Sequence, residues 1–204
     1  DKPVAILKQY DGIVVPGGFG KTGVEGIVMA IKYAREHKIP YLGLCYGMQW
    51  MVVEFARNVA RMKGANTIEV DEQPPYPVID IMPDQKEKLA RKDYGGSMRL
   101  GSYPAYLKKG TIARAAYKSE IVDERHRHRF EVNPAYIERL EKAGLVFSGI
   151  SPSKKLMEIA ELPRAVHPFK LGTQFHPEFT ARPLSPPPLF TAFMQVASER
   201  RARK

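Results

Sequence analysis

The sequence predicts an α/β fold, a doubly wound and mostly parallel sheet with helices packed on its faces. Two observations carry this. A short apolar run stops at a glycine-containing turn and passes into apolar residues at helical spacing, and the pattern occurs twice before Ala60. Such crossover units are what parallel strands require. In addition, 204 residues with 44% hydrophobic and 26% charged side chains suffice for one domain with a real core, and exclude a multidomain machine or wholesale disorder.

The elements follow in order. Residues 12–15 form a β-branched strand that ends in the loop Pro16-Gly17-Gly18-Phe19-Gly20. From Val24, the residues Ile27, Val28, Ile31 and Ala34 recur at helical spacing up to His37, and Pro40 ends the helix. Residues 41–44 form a second strand, and a helix begins at Cys45 and runs through Val53 and Ala56 to Ala60. Residues 68–132 are rich in strands and turns, with Pro74-Pro75 and Gly95-Gly96 as breakers. A helix over 134–142 opens at Pro134, which suits the first turn. Strands follow near 145–150, 156–160 and 171–175, the last running into His176-Pro177-Glu178. A closing helix starts at Leu189 after the proline-rich 183–188 and leads to the basic tail 200–204.

The longest apolar run, 39–53, is broken by Pro40, Gln49 and two glycines and falls short of the roughly 20 residues of a spanning helix. No membrane segment or secretory h-region is read, and the start at Asp1 reads as internal. One cysteine, Cys45, excludes an intramolecular disulfide framework and metal sites built on several thiolates, and points to a reducing, cytoplasmic setting. The net charge of +10 raises nucleic acid, an anionic membrane or an acidic partner as ligands without specifying any chemistry.

Gly43-Leu44-Cys45-Tyr46-Gly47 has the shape of a strand-to-helix elbow that pushes a nucleophile out of a tight turn. A cysteine there sees the positive end of the helix dipole, which favours the thiolate. An inert buried cysteine is the alternative. A nucleophile needs a base and a group to orient it. His176 and Glu178 fit, because alternate residues of an extended segment project to one side and Pro177 disfavours a helix between them. The glycine loop after the first strand offers backbone N–H groups to an oxyanion, with Gly18 and Tyr46 as the natural pair. A phosphate cradle is the competing reading of that loop, which matches neither nucleotide-binding glycine pattern. His37 reads as a solvated helix-end cation, His167 as a loop residue, and His126 with His128 as part of a strand carrying cations on both faces, either solvated or functional. No His or Cys pair has zinc-ligand spacing with the partners it needs, so no metal is expected.

Gly17-Gly18-Phe19-Gly20 with Gly23-x-Glu25-Gly26, Gly43-x-Cys45-x-Gly47-Met48-Gln49, the run from Glu124 to Asn133, and Gln174-Phe175-His176-Pro177-Glu178-Phe179 together resemble the class I, triad, glutamine amidotransferase domain of the CTP synthase family. The Cys-x-Gly-x-Gln and His-x-Glu elements resemble the class broadly. The Arg-His-Arg-His-Arg-Phe-Glu-Val-Asn stretch and Gly95 to Gly101 are narrower and resemble CTP synthases. The likeness spans nearly the whole chain and implies a flavodoxin-like sheet.

The resemblance implies that Cys45 attacks the carboxamide of L-glutamine, His176 shuttles protons and Glu178 holds His176, giving glutamate and ammonia through a thioester. It implies Gly18 and Tyr46 for the oxyanion hole and Gly17, Gln49, Glu69 and Arg129 for substrate, Glu69 suiting the α-ammonium and Arg129 the α-carboxylate. It further implies that the domain is N-terminally incomplete, lacking a first strand and helix and the synthase domain that uses the ammonia to turn UTP into CTP. The domain itself takes no cofactor. The complete enzyme is expected to use ATP and Mg, to respond to GTP and to form a homo-oligomer, a tetramer, with neither nucleic acid nor membrane as partner. Some positions depart from the family pattern, Thr67 and Ile68 before the retained Glu69 among them. Thr22 stands where the loop carries an arginine linked to GTP activation, and Tyr46 stands where Leu or Phe is usual. Other readings are a different class I amidotransferase, a γ-glutamyl hydrolase, or a silent regulatory or nucleic-acid-binding domain.

Overall fold

A computed structural model describes residues 2–81 and 98–204. Gly95, Gly96 and Ser97, part of one of the motifs above, lie outside the described residues. Along the chain come α1 (Lys2–Leu7), β1 (Ile13–Val15), α2 (Val24–Glu36), β2 (Tyr41–Leu44), α3 (Tyr46–Asn58), β3 (Ala65–Thr67), β4 (Tyr76–Ile81), β5 (Arg99–Leu107) and α4 (Ile112–Tyr117). They are followed by β6 (Ile121–His128), β7 (Phe130–Val132), α5 (Pro134–Lys142), β8 (Val146–Ile150), β9 (Met157–Glu161), β10 (Lys170–Thr173), a 3₁₀ turn (Pro177–Thr180) and α6 (Pro188–Arg201).

A seven-stranded sheet has the order β1-β2-β10-β9-β8-β5-β6, and a three-stranded sheet the order β3-β4-β7. In the large sheet the parallel pairing is confined to one end. Ile13 and Lys170 both sit opposite Tyr41, on either side of β2. The pairings from β10 onward are antiparallel. The links between β8, β9 and β10 are too short for a crossover, so those strands must reverse. This mixture refines the expected mostly parallel sheet.

Helices cover both faces, which makes the fold doubly wound. On one side α2, α3 and α5 bury Ile31, Trp50, Met51 and Leu140 against Tyr41 and Ala160. On the other, α4 and α6 bury Ile112, Leu189 and Phe193 against Leu42, Leu44 and Leu171. The alternation of β2, with Tyr41 toward one core and Leu42 and Leu44 toward the other, is the two-sided burial of a central strand.

Two local expectations are corrected. Helix α4 lies within 68–132, which reads as rich in strands and turns with no helix singled out, because six residues are too few to display a helical period. Its start is fixed by a capping Thr111 and by the Glu161 carboxylate, which accepts from the N–H groups of Ile112 and Ala113 at 2.6 and 3.1 Å. The segment after Thr173 is also not extended through Glu178. Pro177 opens the 3₁₀ turn, since a proline at the first helical position loses no hydrogen bond. Among the described residues no helix is long and apolar enough to cross a membrane.

Candidate active site

The turn between β2 and α3 is tight. Cys45 has φ 50° and ψ −97°, a conformation side-chain-bearing residues seldom adopt. It is tolerated because its flanks are bare. A Cβ on Gly43 would lie 2.6 Å from the carbonyl carbon of Gly47, and a Cβ on Gly47 would lie 2.2 Å from the Val15 oxygen. The elbow is anchored by the Cys45 N–H, which donates to the Thr173 carbonyl at 2.6 Å, and by the Tyr41 hydroxyl, which donates to the Gly47 carbonyl at 2.8 Å.

The thiol is buried, and its acidity differs from expectation. Burial pushes the Cys45 thiol up to about 12, the Tyr46 N–H pulls it down in part, and the carboxylates of Glu131, Glu178 and Glu69 raise it further. Desolvation thus works against the thiolate that the helix N-terminus favours. The Gln174 side-chain amide donates to Sγ across 3.7 Å.

His176 Nδ1 and Glu178 Oε1 are 2.7 Å apart. The expected pairing is present although the backbone carrying it is a 3₁₀ turn. Phe179 stacks on the imidazole, with ring centroids 4.4 Å apart and planes 3° apart. A Cβ on Gly17 would lie 2.8 Å from His176 Cε1, so the glycine loop closes over the ring. His176 Nε2 is buried and has no hydrogen-bond partner among the described residues.

These groups meet in a cavity of about 680 Å³ lined by Cys45, His176, Glu178, Gly17, Gly18, Gln49, Glu69 and Arg129, with Phe19, Arg127, His128 and Phe179 among its other walls. Tyr46 does not line it. Its ring packs edge-on against Trp50 at 5.7 Å, its hydroxyl donates to the Gly20 carbonyl, and its backbone N–H is directed at Sγ. Of Tyr46, the main chain is the part turned toward Cys45. The Gln49 amide donates to the Phe130 carbonyl at 3.1 Å. Glu69 accepts from the Gly20 N–H at 2.8 Å; burial raises its carboxyl, while Gly20 and the Arg129 charge pull it back. An acid and a guanidinium thus share the cavity with the nucleophile.

Of the remaining histidines, two fall where expected, at a helix end and in a loop, and the two of β6 do not. His37 stacks on Tyr33 at the end of α2, and His167 is a buried loop residue whose Nε2 lies 3.0 Å from the Ala34 carbonyl oxygen. Strand β6 is not solvated on both faces. It alternates strictly, with Glu124, His126 and His128 buried and Arg125 and Arg127 exposed. Gln174 belongs to a motif that carries the resemblance, yet the sequence assigns it no role. Its contact with Cys45 depends on β10 lying beside β2, which no local pattern reveals. A second cavity, of about 470 Å³, lies among Lys38, Arg164, Arg200 and Arg203 and contains none of these residues.

Comparison with known proteins agrees with this geometry. Residues 1–196 match the family model described as glutamine amidotransferase class-I. The CTP synthase of Thermococcus gammatolerans is 56% identical over 201 residues, covering 98% of this chain and 37% of that protein. That of Rubrobacter xylanophilus is 58% identical over 188 residues, covering 92% of this chain and 33% of that protein. The chain therefore spans little more than a third of these relatives. A solved structure described as the Trypanosoma brucei CTPS glutaminase domain with bound acivicin superimposes with a TM-score of 0.90 at 41% identity, covering 98% of this chain and 75% of that one. A glutamine amidotransferase from Thermotoga maritima, at 14% identity and a TM-score of 0.51 over 97% of this chain and 80% of that one, shares the fold. With its family model, its relatives and its elbow, His176–Glu178 pair and cavity in agreement, the chain belongs to the class-I glutamine amidotransferase family, among the glutaminase domains of CTP synthases.

Proposed function

We propose that this chain hydrolyses L-glutamine through a Cys45 thioester and hands the ammonia to a synthase domain that converts UTP to CTP with ATP and Mg. The observation that carries the reading is the convergence of a buried thiol on a strained elbow, the His176–Glu178 pair and the Glu69/Arg129 charge pair on one cavity. Glutamine presents an α-ammonium, an α-carboxylate and a carboxamide, and the cavity offers a partner for each.

Each step follows from the chemistry of the groups present. Because burial holds Cys45 as the thiol, proton removal must accompany attack. His176 Nε2 takes the Sγ proton while the sulfur bonds to the δ-carbon and the carbonyl electrons move to oxygen. The N–H groups of Gly18 and Tyr46 hold that oxyanion. His176 then gives its proton to the amide nitrogen, the C–N bond breaks and ammonia leaves. A water, deprotonated by His176, attacks the thioester carbon; the C–S bond breaks, the thiol is restored and glutamate departs. Glu178 keeps Nδ1 protonated throughout, so that Nε2 is the nitrogen that exchanges protons.

The test is labelling of the chain with a glutamine-analogue electrophile, followed by peptide mapping. Modification confined to Cys45 and abolished in Cys45→Ser supports the reading; a folded chain whose Cys45 stays unlabelled overturns it. Ammonia transfer is tested separately, by adding a synthase domain and asking for glutamine-dependent CTP.

A further inference from the structure

The catalytic histidine lies just beyond the end of its strand, and its backbone is held by two strands that are not sheet neighbours. β10 ends at Thr173. Beyond it, the Gln174 N–H donates to the Glu158 carbonyl of β9 at 2.8 Å, and the His176 N–H donates to the Arg125 carbonyl of β6 at 2.8 Å. In the sheet order β8 and β5 separate β9 from β6, yet β8 and β5 pair only at Tyr106 with Ile150 and Leu107 with Gly149. Alongside Gln174–His176 the gap is instead bridged by side chains. His126 Nε2 meets Glu158 Oε2 at 2.8 Å, with both side chains fully buried.

The connections close a ring. Arg125 holds His176, the next residue His126 pairs with Glu158, and Glu158 holds Gln174 through its own carbonyl. Fully buried Phe175 sits inside, its ring edge-on to His126 at 5.8 Å. Each member is fixed from behind. His126 Nδ1 faces the Glu124 carbonyl at 2.9 Å, and Glu158 Oε1 accepts from Arg99 Nη1 at 2.8 Å. Arg99 lies over the Tyr103 ring at 4.4 Å. A buried pair with its remaining valences satisfied is rigid, whereas a half-satisfied one is not.

We infer that His126 and Glu158 are positioning residues of the glutaminase reaction, holding Gln174 against Cys45 and His176 within reach of the reacting atoms. The inference rests on the reading of Cys45 and His176 given above. Neither residue lines the cavity, so neither touches substrate. Their effect passes through two backbone hydrogen bonds. A displacement of about 1 Å at the catalytic imidazole is enough to slow the chemistry roughly 100-fold.

The test uses the full chain, the same glutamine-analogue electrophile and the variants His126→Ala and His126→Gln, separating the maximal inactivation rate from the concentration giving half that rate. His126→Ala is expected to lower the maximal rate roughly 100-fold while the half-saturating concentration changes less than about threefold. His126→Gln, whose amide can still donate to Glu158, is expected to recover at least about tenfold of that loss. Amide hydrogen exchange gives a second readout. The His176 N–H should exchange faster in His126→Ala, while the Cys45 N–H, bonded to Thr173, keeps its protection. Equal maximal rates in parent and His126→Ala, or a His126→Gln no better than His126→Ala, overturn the inference. If His126→Ala fails to fold, His126→Phe, which fills the same space without a donor, takes its place: unaltered His176 exchange together with an unaltered maximal rate in His126→Phe overturns the inference. A folded parent that is itself unlabelled removes the glutaminase reading, whereas a labelled parent matched by its variants removes this inference alone.

Discussion

The side-chain amide of Gln174 donates to Cys45 Sγ across 3.7 Å, and its own carbonyl oxygen is buried with no hydrogen-bond partner among the described residues. One end of this side chain meets the Cys45 sulfur while the other is left unsatisfied. Gln174→Leu is similar in size, removes the donor to sulfur and removes the unpaired oxygen. The expected outcome is a variant at least as stable as the parent, by up to about 1 kcal/mol, that alkylates at Cys45 roughly five- to tenfold more slowly. Thermal melts and inactivation rates on the same samples check both halves; a faster, less stable variant contradicts the assignment.

Gly17 acts on His176 through space. An added methyl group would lie 2.8 Å from Cε1, and the imidazole, held by Glu178 and stacked on Phe179, has nowhere to yield without leaving its place. Gly17 is itself exposed, so the fold has little at stake. Gly17→Ala is expected to keep the parent's melting temperature within a few degrees and to lose roughly 100-fold in glutamine turnover. Steady-state kinetics beside a melt would show it.

Arg129 and Glu69 face the same cavity, and a planar guanidinium can engage a carboxylate with two hydrogen bonds where an ammonium offers a point charge. Arg129→Lys keeps the charge and loses the fork. The expected result is a KM for glutamine raised roughly 10-fold or more with kcat changed less than about threefold. A change in kcat alone would place Arg129 outside ground-state binding.

Lys170 is fully buried, with Nζ 3.0 Å from the Ile31 carbonyl and 4.8 Å from the centre of the Tyr41 ring. Desolvation pushes it from 10.5 down to about 7, against the pull of Glu54, which Arg35 already engages at 2.8 to 3.1 Å. Between pH 7 and 10.5 the unfolded chain holds a proton that the folded chain has released, so stability climbs with pH through that window. Below about 7 both states are protonated and the cost of the buried charge is present in full. Lys170→Met is expected to be the more stable protein at pH 6, by on the order of a few kcal/mol, with the advantage shrinking as pH rises toward about 10. Urea unfolding at about pH 6 and about pH 9 measures the two differences.

Local information suffices where a signal is short-ranged. The β2–Cys45–α3 elbow is legible because Gly43 and Gly47 are separated by a fixed offset, and that offset is what lets the backbone of α3 approach β1 and β2. The His176–Glu178 contact is legible as a pair, although for the wrong backbone reason: the two residues meet across a 3₁₀ turn, not along a strand. Helix α4 is not legible, since its start depends on a carboxylate from β9. Nor is the resting state of Cys45. Dipole and burial push its acidity in opposite directions, and only the packed structure supplies the burial.

The sequence by itself determined the fold class, the order of βα units and the cysteine on its elbow, because these depend on periodicity, turn chemistry and side-chain type. Tertiary structure decided what distance in sequence conceals. It set β10 beside β2, bringing Gln174 to Cys45, and turned the histidines of β6 inward, where His126 meets Glu158. It also made the sheet antiparallel beyond β10. The physical reason is common to all three. A strand pattern specifies which face of a strand is buried, and only the closing of the sheet specifies which strand lies next to it.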